Sequence, residues 1–135
     1  MSARRDRHRW VKPLRHRNAW LALWLAAVGA VVVVCLLPGQ DLPKWPISDK
    51  LEHALAFAVL AASAVQLFER GRALVVVAFG LLALGIAIEF AQATLTTSRA
   101  MEAGDIAADA VGIVAGLSIA LTPLRDILLR IAGRA

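Results

Sequence analysis

The sequence predicts an all-α membrane protein: a four-transmembrane-helix antiparallel bundle with short loops and an interfacial C-terminal helix. Three observations carry that expectation. Of the 135 residues, 59% are apolar and the mean hydropathy is +0.67, above the roughly 45–50% apolar content of a water-soluble domain. The apolar residues gather into four stretches, 19–37, 51–68, 73–92 and 106–122. At ~1.5 Å rise per residue each is about 25–30 Å long, enough to cross a ~30 Å hydrocarbon layer once the flanking turns are counted. The cations are unevenly placed around those stretches. Twelve of the 15 Lys and Arg lie in the first 18 residues, the 69–72 turn and the tail from Pro123, while Lys44, Lys50 and Arg99 lie in the other two connections. The positive-inside bias therefore predicts cytoplasmic termini and outward-facing loops near 38–50 and 93–104.

Residues 1–18 form a basic cytoplasmic tail carrying Arg4, Arg5, Arg7, Arg9, Lys12, Arg15 and Arg17. Its expected role is anchoring to anionic headgroups, with Trp10 and Trp20 near the interface, and no nucleic-acid partner is expected. The first apolar stretch exceeds the roughly 7–15 residues of a signal-peptide core, so it is expected to remain as an anchor. Cys35 lies in an apolar run and reads as buried filler, and as a single cysteine it excludes an intrachain disulfide. The 38–46 loop holds three prolines and is expected to be stiff, with Trp45 at the outer interface. On the fourth stretch Gly104, Ala108, Gly112, Gly116 and Ala120 put a small residue at every fourth position. That pattern suits close helix packing, either within the chain, with Gly80 and Gly85 of the third helix as the facing groove, or in an oligomer. Residues 123–135 read as a cytoplasmic amphipathic tail, with Leu124, Ile127, Leu128 and Ile131 on one face.

Charged residues inside apolar stretches are costly, at ~2.5–3.5 kcal/mol for a central Asp, so they normally face protein or water. His53 precedes Arg70 by 17 residues, Glu89 follows Arg72 by 17, and Asp109 precedes Arg125 by 16. All three therefore lie roughly 24–26 Å above the cytoplasmic rim. Asp49, Lys50 and His53 begin the second helix, Glu89 and Gln92 end the third, and Asp105 and Asp109 begin the fourth, with Arg99 and Glu102 in the loop between. The expected site is one outward-opening pocket formed by these nine residues. Asp49 with Glu52 also fits a capping box, Ser48 or Asp49 an N-cap, and Asp105 a cap of the fourth helix. Gln92 and Glu102 also read as solvated interfacial groups, and a purely structural ion network is a further reading. No cofactor is expected. A metal held by His53, Glu89 and Asp109 is disfavoured, since one histidine makes a poor zinc site.

The runs Asp49-Lys50-Leu51-Glu52-His53 with Phe57, Glu89-Phe90-Ala91-Gln92, and Arg99 with Asp105-Ile106-Ala107-Ala108-Asp109 leading to Gly112 and Gly116 resemble the VanZ-like family of small bacterial membrane proteins. The resemblance covers residues 45 to about 120, within an expected transmembrane domain of 19–122. It departs at Asp109, where the family usually has asparagine. It implies a multi-pass inner-membrane protein with a role in envelope biology, including reduced susceptibility to teicoplanin-type lipoglycopeptides. The expected partners are membrane lipids and a lipid-linked envelope precursor or glycopeptide. Lys50, Arg99 and a protonated His53 would engage phosphate or carboxylate. The rival expectation is a membrane-interface hydrolase or transferase with His53 as base or nucleophile.

Overall fold

The computed structural model describes residues 9–37, 46–95 and 101–134, and every regular element among them is helical. The elements are α1 (Arg17–Leu36), α2 (Asp49–Leu67), α3 (Arg72–Leu95), α4 (Ala103–Leu117) and α5 (Ile127–Ala132), with single 3-10 turns at Ser118–Leu121 and Pro123–Asp126. Four helical segments of 20, 19, 24 and 19 residues are long and apolar enough to cross a bilayer, the last being α4 with its following 3-10 turn. Loop 38–45, with Trp45, lies outside the described residues, as does Arg99.

Local chemistry sets the ends. Ser48 is the N-cap of α2, its Oγ accepting from Leu51 N–H at 3.3 Å, so the expected Asp49-x-x-Glu52 capping box is replaced by a cap one residue earlier. Gly71 turns the chain between α2 and α3 at φ 88°, a left-handed conformation that suits glycine. After α4, Thr122 is extended because Pro123 follows, and its Oγ1 accepts from Leu124 N–H. The C-terminal segment is therefore a 3-10 turn and a six-residue helix rather than one amphipathic helix over 123–135.

Phe57, Leu60, Ala61, Leu81, Ile88 and Ile113 form the main core, and Val65, Leu74 and Ala120 a second one. Outside it, Val33, Val59, Phe79, Phe90, Val111 and Val114 are each at least 60% exposed. An apolar exterior around an all-helical frame is what hydrocarbon tolerates and water does not.

The α2 and α4 pair shares the most extensive interface. A Cβ on Gly112 would overlap the Ala54 carbonyl oxygen, and one on Gly116 the Ala58 carbonyl and the Ala61 side chain. The small-residue face of α4 is thus packed against α2 of the same chain at Gly112 and Gly116. The facing groove comes from the alanines of α2 and not from α3 as expected. Gly80 meets nothing within 4 Å, and Gly85 meets only Asp109.

The basic tail is also corrected in part. Residues 10–14 form a strap along the α2 end: Lys12 N–H donates to Leu67 O at 2.8 Å and Glu69 N–H to Trp10 O at 3.0 Å. Leu14 is fully buried and Lys12 is 4% exposed. Lys12 Nζ donates to Val65 O (2.7 Å), Arg125 O (2.6 Å) and Asp126 Oδ1 (2.9 Å). The Val65 and Leu67 carbonyls belong to the last turn of α2, where no intrahelical donor remains, so a lysine that reads as a lipid anchor instead caps a helix. The Lys12 ammonium beside it holds the Asp126 carboxyl below its ordinary value, with Arg125 adding to the effect.

Candidate functional site

Because the N-cap at Ser48 fixes the first turn of α2, Asp49, Glu52 and His53 fall on one side of it, with Lys50 turned toward α4. The last turns of α3 supply Glu89 and Gln92, and the start of α4 supplies Asp105 and Asp109. His53, Glu89, Gln92, Asp105 and Asp109 are all buried at this one end of the molecule.

Two polar groupings result. In the outer one, Lys50 Nζ lies 2.6 Å from Glu102 Oε2 and 3.4 Å from Asp105 Oδ1. The Lys50 ammonium holds the Glu102 carboxyl below the usual carboxylate range. Gly104 makes this approach possible, since a Cβ there would stand 2.6 Å from Lys50 Cε. In the inner one, His53 Nδ1 lies 2.9 Å from Asp109 Oδ1. With Asp109 ionised, Nδ1 carries the shared proton and the carboxylate fixes the ring's tautomer and orientation. Glu89 Oε2 accepts from Glu102 N–H at 3.0 Å, placing a carboxylate at the N-terminus of α4, where the helix dipole favours it. Glu102 is the N-cap residue of α4 and Asp105 lies within its first turn, so Asp105 acts as an ion-pair partner and not as the cap.

Three carboxylate oxygens stand out. Glu89 Oε1, Asp105 Oδ1 and Asp109 Oδ2 are buried and have no hydrogen-bond partner among the described residues, although Asp105 Oδ1 has the Lys50 ammonium at 3.4 Å. Buried acceptors carry a desolvation cost unless a proton, water or ligand donor meets them. Asp109 Oδ2 lies over Gly85, whose missing side chain makes the space.

Gln92 departs from expectation. It is 2% exposed and its Nε2 donates to Cys35 O at 2.7 Å, capping the last turn of α1 and tying α1 to α3. The open space also lies elsewhere than expected. Residues of α2, α3 and α4 fill one another's polar end, and a cavity of about 220 Å³ opens instead on the α1 side of α2. Val31, Val34 and Cys35 of α1 and Asp49, Glu52 and His53 of α2 line it. Sequence reasoning left Glu52 out of the pocket, although its spacing from Asp49 and His53 puts all three on one helical face.

Asp49, His53 and Asp105 can each bring a ligand atom within 4.8 Å of the others. This is a different trio from the His53, Glu89 and Asp109 set weighed above, and a fixed ammonium already stands beside it, 3.4 Å from Asp105. Chemically, the His53–Asp109 pair can orient an imidazole toward the cavity, and the rim carboxylates can accept from a donor held there. Compared with protein-family models, curated proteins and solved structures, the chain matches none.

Proposed function

We propose that the chain is a VanZ-like multi-pass protein of the bacterial inner membrane, an antiparallel bundle with cytoplasmic termini, whose cleft between α1 and α2 binds the headgroup of an amphiphile. The amphiphile is a membrane lipid, a lipid-linked envelope precursor or the lipid-bearing end of a teicoplanin-type lipoglycopeptide. The cation distribution supports the orientation, which sets the cleft at the level of the outer leaflet. The observation that carries the reading is a buried His53–Asp109 pair, 2.9 Å apart, beside a cavity bounded by the apolar face of α1. At about 220 Å³ the space suits a headgroup and is smaller than the roughly 300–1,000 Å³ of drug-sized sites.

The test is saturable binding of radiolabelled lipid to the full chain in detergent, measured for wild type and His53→Gln at matched abundance. Binding that His53→Gln weakens supports the reading, together with loss of teicoplanin protection in cells. Unchanged binding and protection overturn it. The same hydrogen-bonded pair is what favours the second reading, a hydrolase or transferase acting on a lipid-linked phosphate or glycan with His53 as general base. Turnover of a lipid-linked substrate that His53→Gln abolishes would establish that reading, and saturable binding without turnover would refute it.

A further inference from the structure

Two pairs of side chains meet where α2 and α4 begin. Asp49 and His53 stand one turn apart on α2, and Asp105 and Asp109 one turn apart on α4. Asp49, His53 and Asp105 can each bring a ligand atom within 4.8 Å of the other two. Ligands about 2.1 Å from one metal stand roughly 3–4 Å from each other, so the trio closes on an ion through a shift of about 1 Å. Asp49 is exposed and has the freedom to supply that shift.

Asp109 acts from behind the trio. Its Oδ1 holds His53 Nδ1 at 2.9 Å, so the nitrogen left for a metal is Nε2. A carboxylate on the far nitrogen is the common partner of a metal-binding histidine, because it fixes the tautomer and makes the coordinating nitrogen more basic. His53 is 4% exposed and Asp109 fully buried, so packing as well as the hydrogen bond sets the direction of the ring.

Asp105 points to a cation independently. It is 5% exposed, and its Oδ1 has no hydrogen-bond partner among the described residues. Lys50 Nζ is 3.4 Å away, beyond the ordinary limit of about 3.2 Å, and lies closer to Glu102 at 2.6 Å. A buried carboxylate oxygen held this way still needs a donor or a cation. Asp49 takes part in a further interaction. A carboxylate has two oxygens and about four lone-pair sites, so Asp49 can serve an ion and keep its other partner.

We propose that Asp49, His53 and Asp105 hold one divalent metal ion, with Asp109 as the positioning residue for His53. Two carboxylates with one imidazole suit manganese(II), since carboxylates and water favour the harder ions while the imidazole disfavours magnesium and calcium. Three protein ligands leave an octahedral ion further positions for water, and Asp49 and His53 both line the cavity of about 220 Å³. Resting on the headgroup reading above, the metal specifies the headgroup's class: a phosphate, whose oxygens replace those waters. The ion thereby takes the role that the sequence suggested for Lys50, which Glu102 and Asp105 hold on the α4 side.

The experiment uses the full chain in a neutral maltoside detergent. Manganese(II) chloride is the probe, and the paramagnetic resonance signal of the free ion, which is lost on binding, is the readout. Wild type should bind one ion per chain saturably. Asp49→Asn, His53→Gln and Asp105→Asn should each weaken binding at least tenfold, and Asp109→Asn, which removes no ligand, by about tenfold. Lys50→Met should strengthen binding by about tenfold, because the ammonium and the metal compete for Asp105. A variant that merely unfolds the site would move affinity the other way, so Lys50→Met separates a metal site from a structural ion network. Absence of saturable manganese binding, or binding that the ligand variants and Lys50→Met leave unchanged, overturns the metal site. The headgroup class is read with radiolabelled phosphatidylglycerol and diacylglycerol, with and without EDTA. Phosphatidylglycerol binding that EDTA weakens at least tenfold, with diacylglycerol unaffected, supports the phosphate. Lipid binding indifferent to EDTA overturns the phosphate assignment and leaves the headgroup reading standing. One bound manganese ion without saturable binding of any lipid overturns the headgroup reading and the phosphate with it, and leaves the metal site standing.

Discussion

Replacing Gly112 with alanine tests the packing that builds the site. A Cβ there would run into the Ala54 carbonyl oxygen and stand 2.9 Å from Ala54 C and 3.1 Å from its Cα. These are backbone atoms, so no rotamer relieves the overlap, and α2 and α4 must part by about 1–1.5 Å to bring the carbonyl oxygen, the nearest atom, back to a contact of about 3.2–3.5 Å. Overpacking of this kind costs about 1–3 kcal/mol. Alanine in place of helical glycine returns about 0.5–1 kcal/mol, and because the overlap is with backbone the overpacking cost lies toward the upper end of its range, at about 2–3 kcal/mol, so the expected net loss is about 1–2.5 kcal/mol. The same separation stretches the His53–Asp109 hydrogen bond, which starts at 2.9 Å and joins these two helices, beyond the ordinary limit of about 3.2 Å. Gly80→Ala is the matched control. Nothing lies within 4 Å of a Cβ at that position, so only the helix-forming gain of about 0.5–1 kcal/mol remains. Denaturation of both variants in one detergent, with nitrogen-15 spectra of the His53 ring, should give stability changes of opposite sign and an altered imidazole signal for Gly112→Ala alone. A Gly112→Ala protein as stable as wild type with an unchanged His53 signal refutes the reasoning.

Four further outcomes follow from the same contacts. Lys12→Met leaves two carbonyls and a carboxylate without their donor and should cost about 2–3 kcal/mol, read as a lower melting temperature and faster proteolysis of the strap. Asp126 titrates below its ordinary value of 3.8 when folded, so its contribution is present above that value and is lost as pH falls through the lower, folded one. An acid melting series should show this loss in wild type, and Asp126→Asn should flatten it. Asp109→Asn keeps an acceptor for His53 on a side chain of the same shape and should hold stability within about 1 kcal/mol, whereas Asp109→Leu leaves Nδ1 unpaired and should cost about 2–3 kcal/mol by the same denaturation assay. Gln92→Leu removes the donor to Cys35 O, and amide exchange in the last turn of α1 should quicken by about the tenfold that ~1 kcal/mol allows.

The level of the site was legible in the sequence because helical rise is constant. Counting from Arg70, Arg72 and Arg125 put His53, Glu89 and Asp109 at one height, and the structure buries all three at one end. Rotation about each helix axis was not legible. The small residues of α4 announced a close neighbour, yet a one-dimensional pattern does not say whether α2 or α3 supplies it, and the alanines of α2 are common enough in any apolar helix to carry no signal. Lys12 was the least readable residue. It sits in a run of cations that all suit a headgroup layer, while its acceptors Val65 and Asp126 lie 53 and 114 residues away. Gln92 was misread for a related reason, since its partner is a backbone carbonyl, and every residue has one.

Lys50 and His53 are both used within the α2–α4 interface. Close α2–α4 packing, allowed by Gly104 and Gly112, draws Lys50 across to Glu102 and Asp105. Asp109 takes His53 on the same interface, and Glu89 takes the N-cap amide of α4, that of Glu102. Toward α1, the other side of the first turn of α2 places Asp49, Glu52 and His53 beside Val31, Val34 and Cys35 around the cavity. A change that loosened the α2–α4 interface would part Lys50 from Glu102 and Asp105 and His53 from Asp109 at once, so helix packing and the geometry of both polar groupings should shift together in any variant that disturbs Gly104 or Gly112.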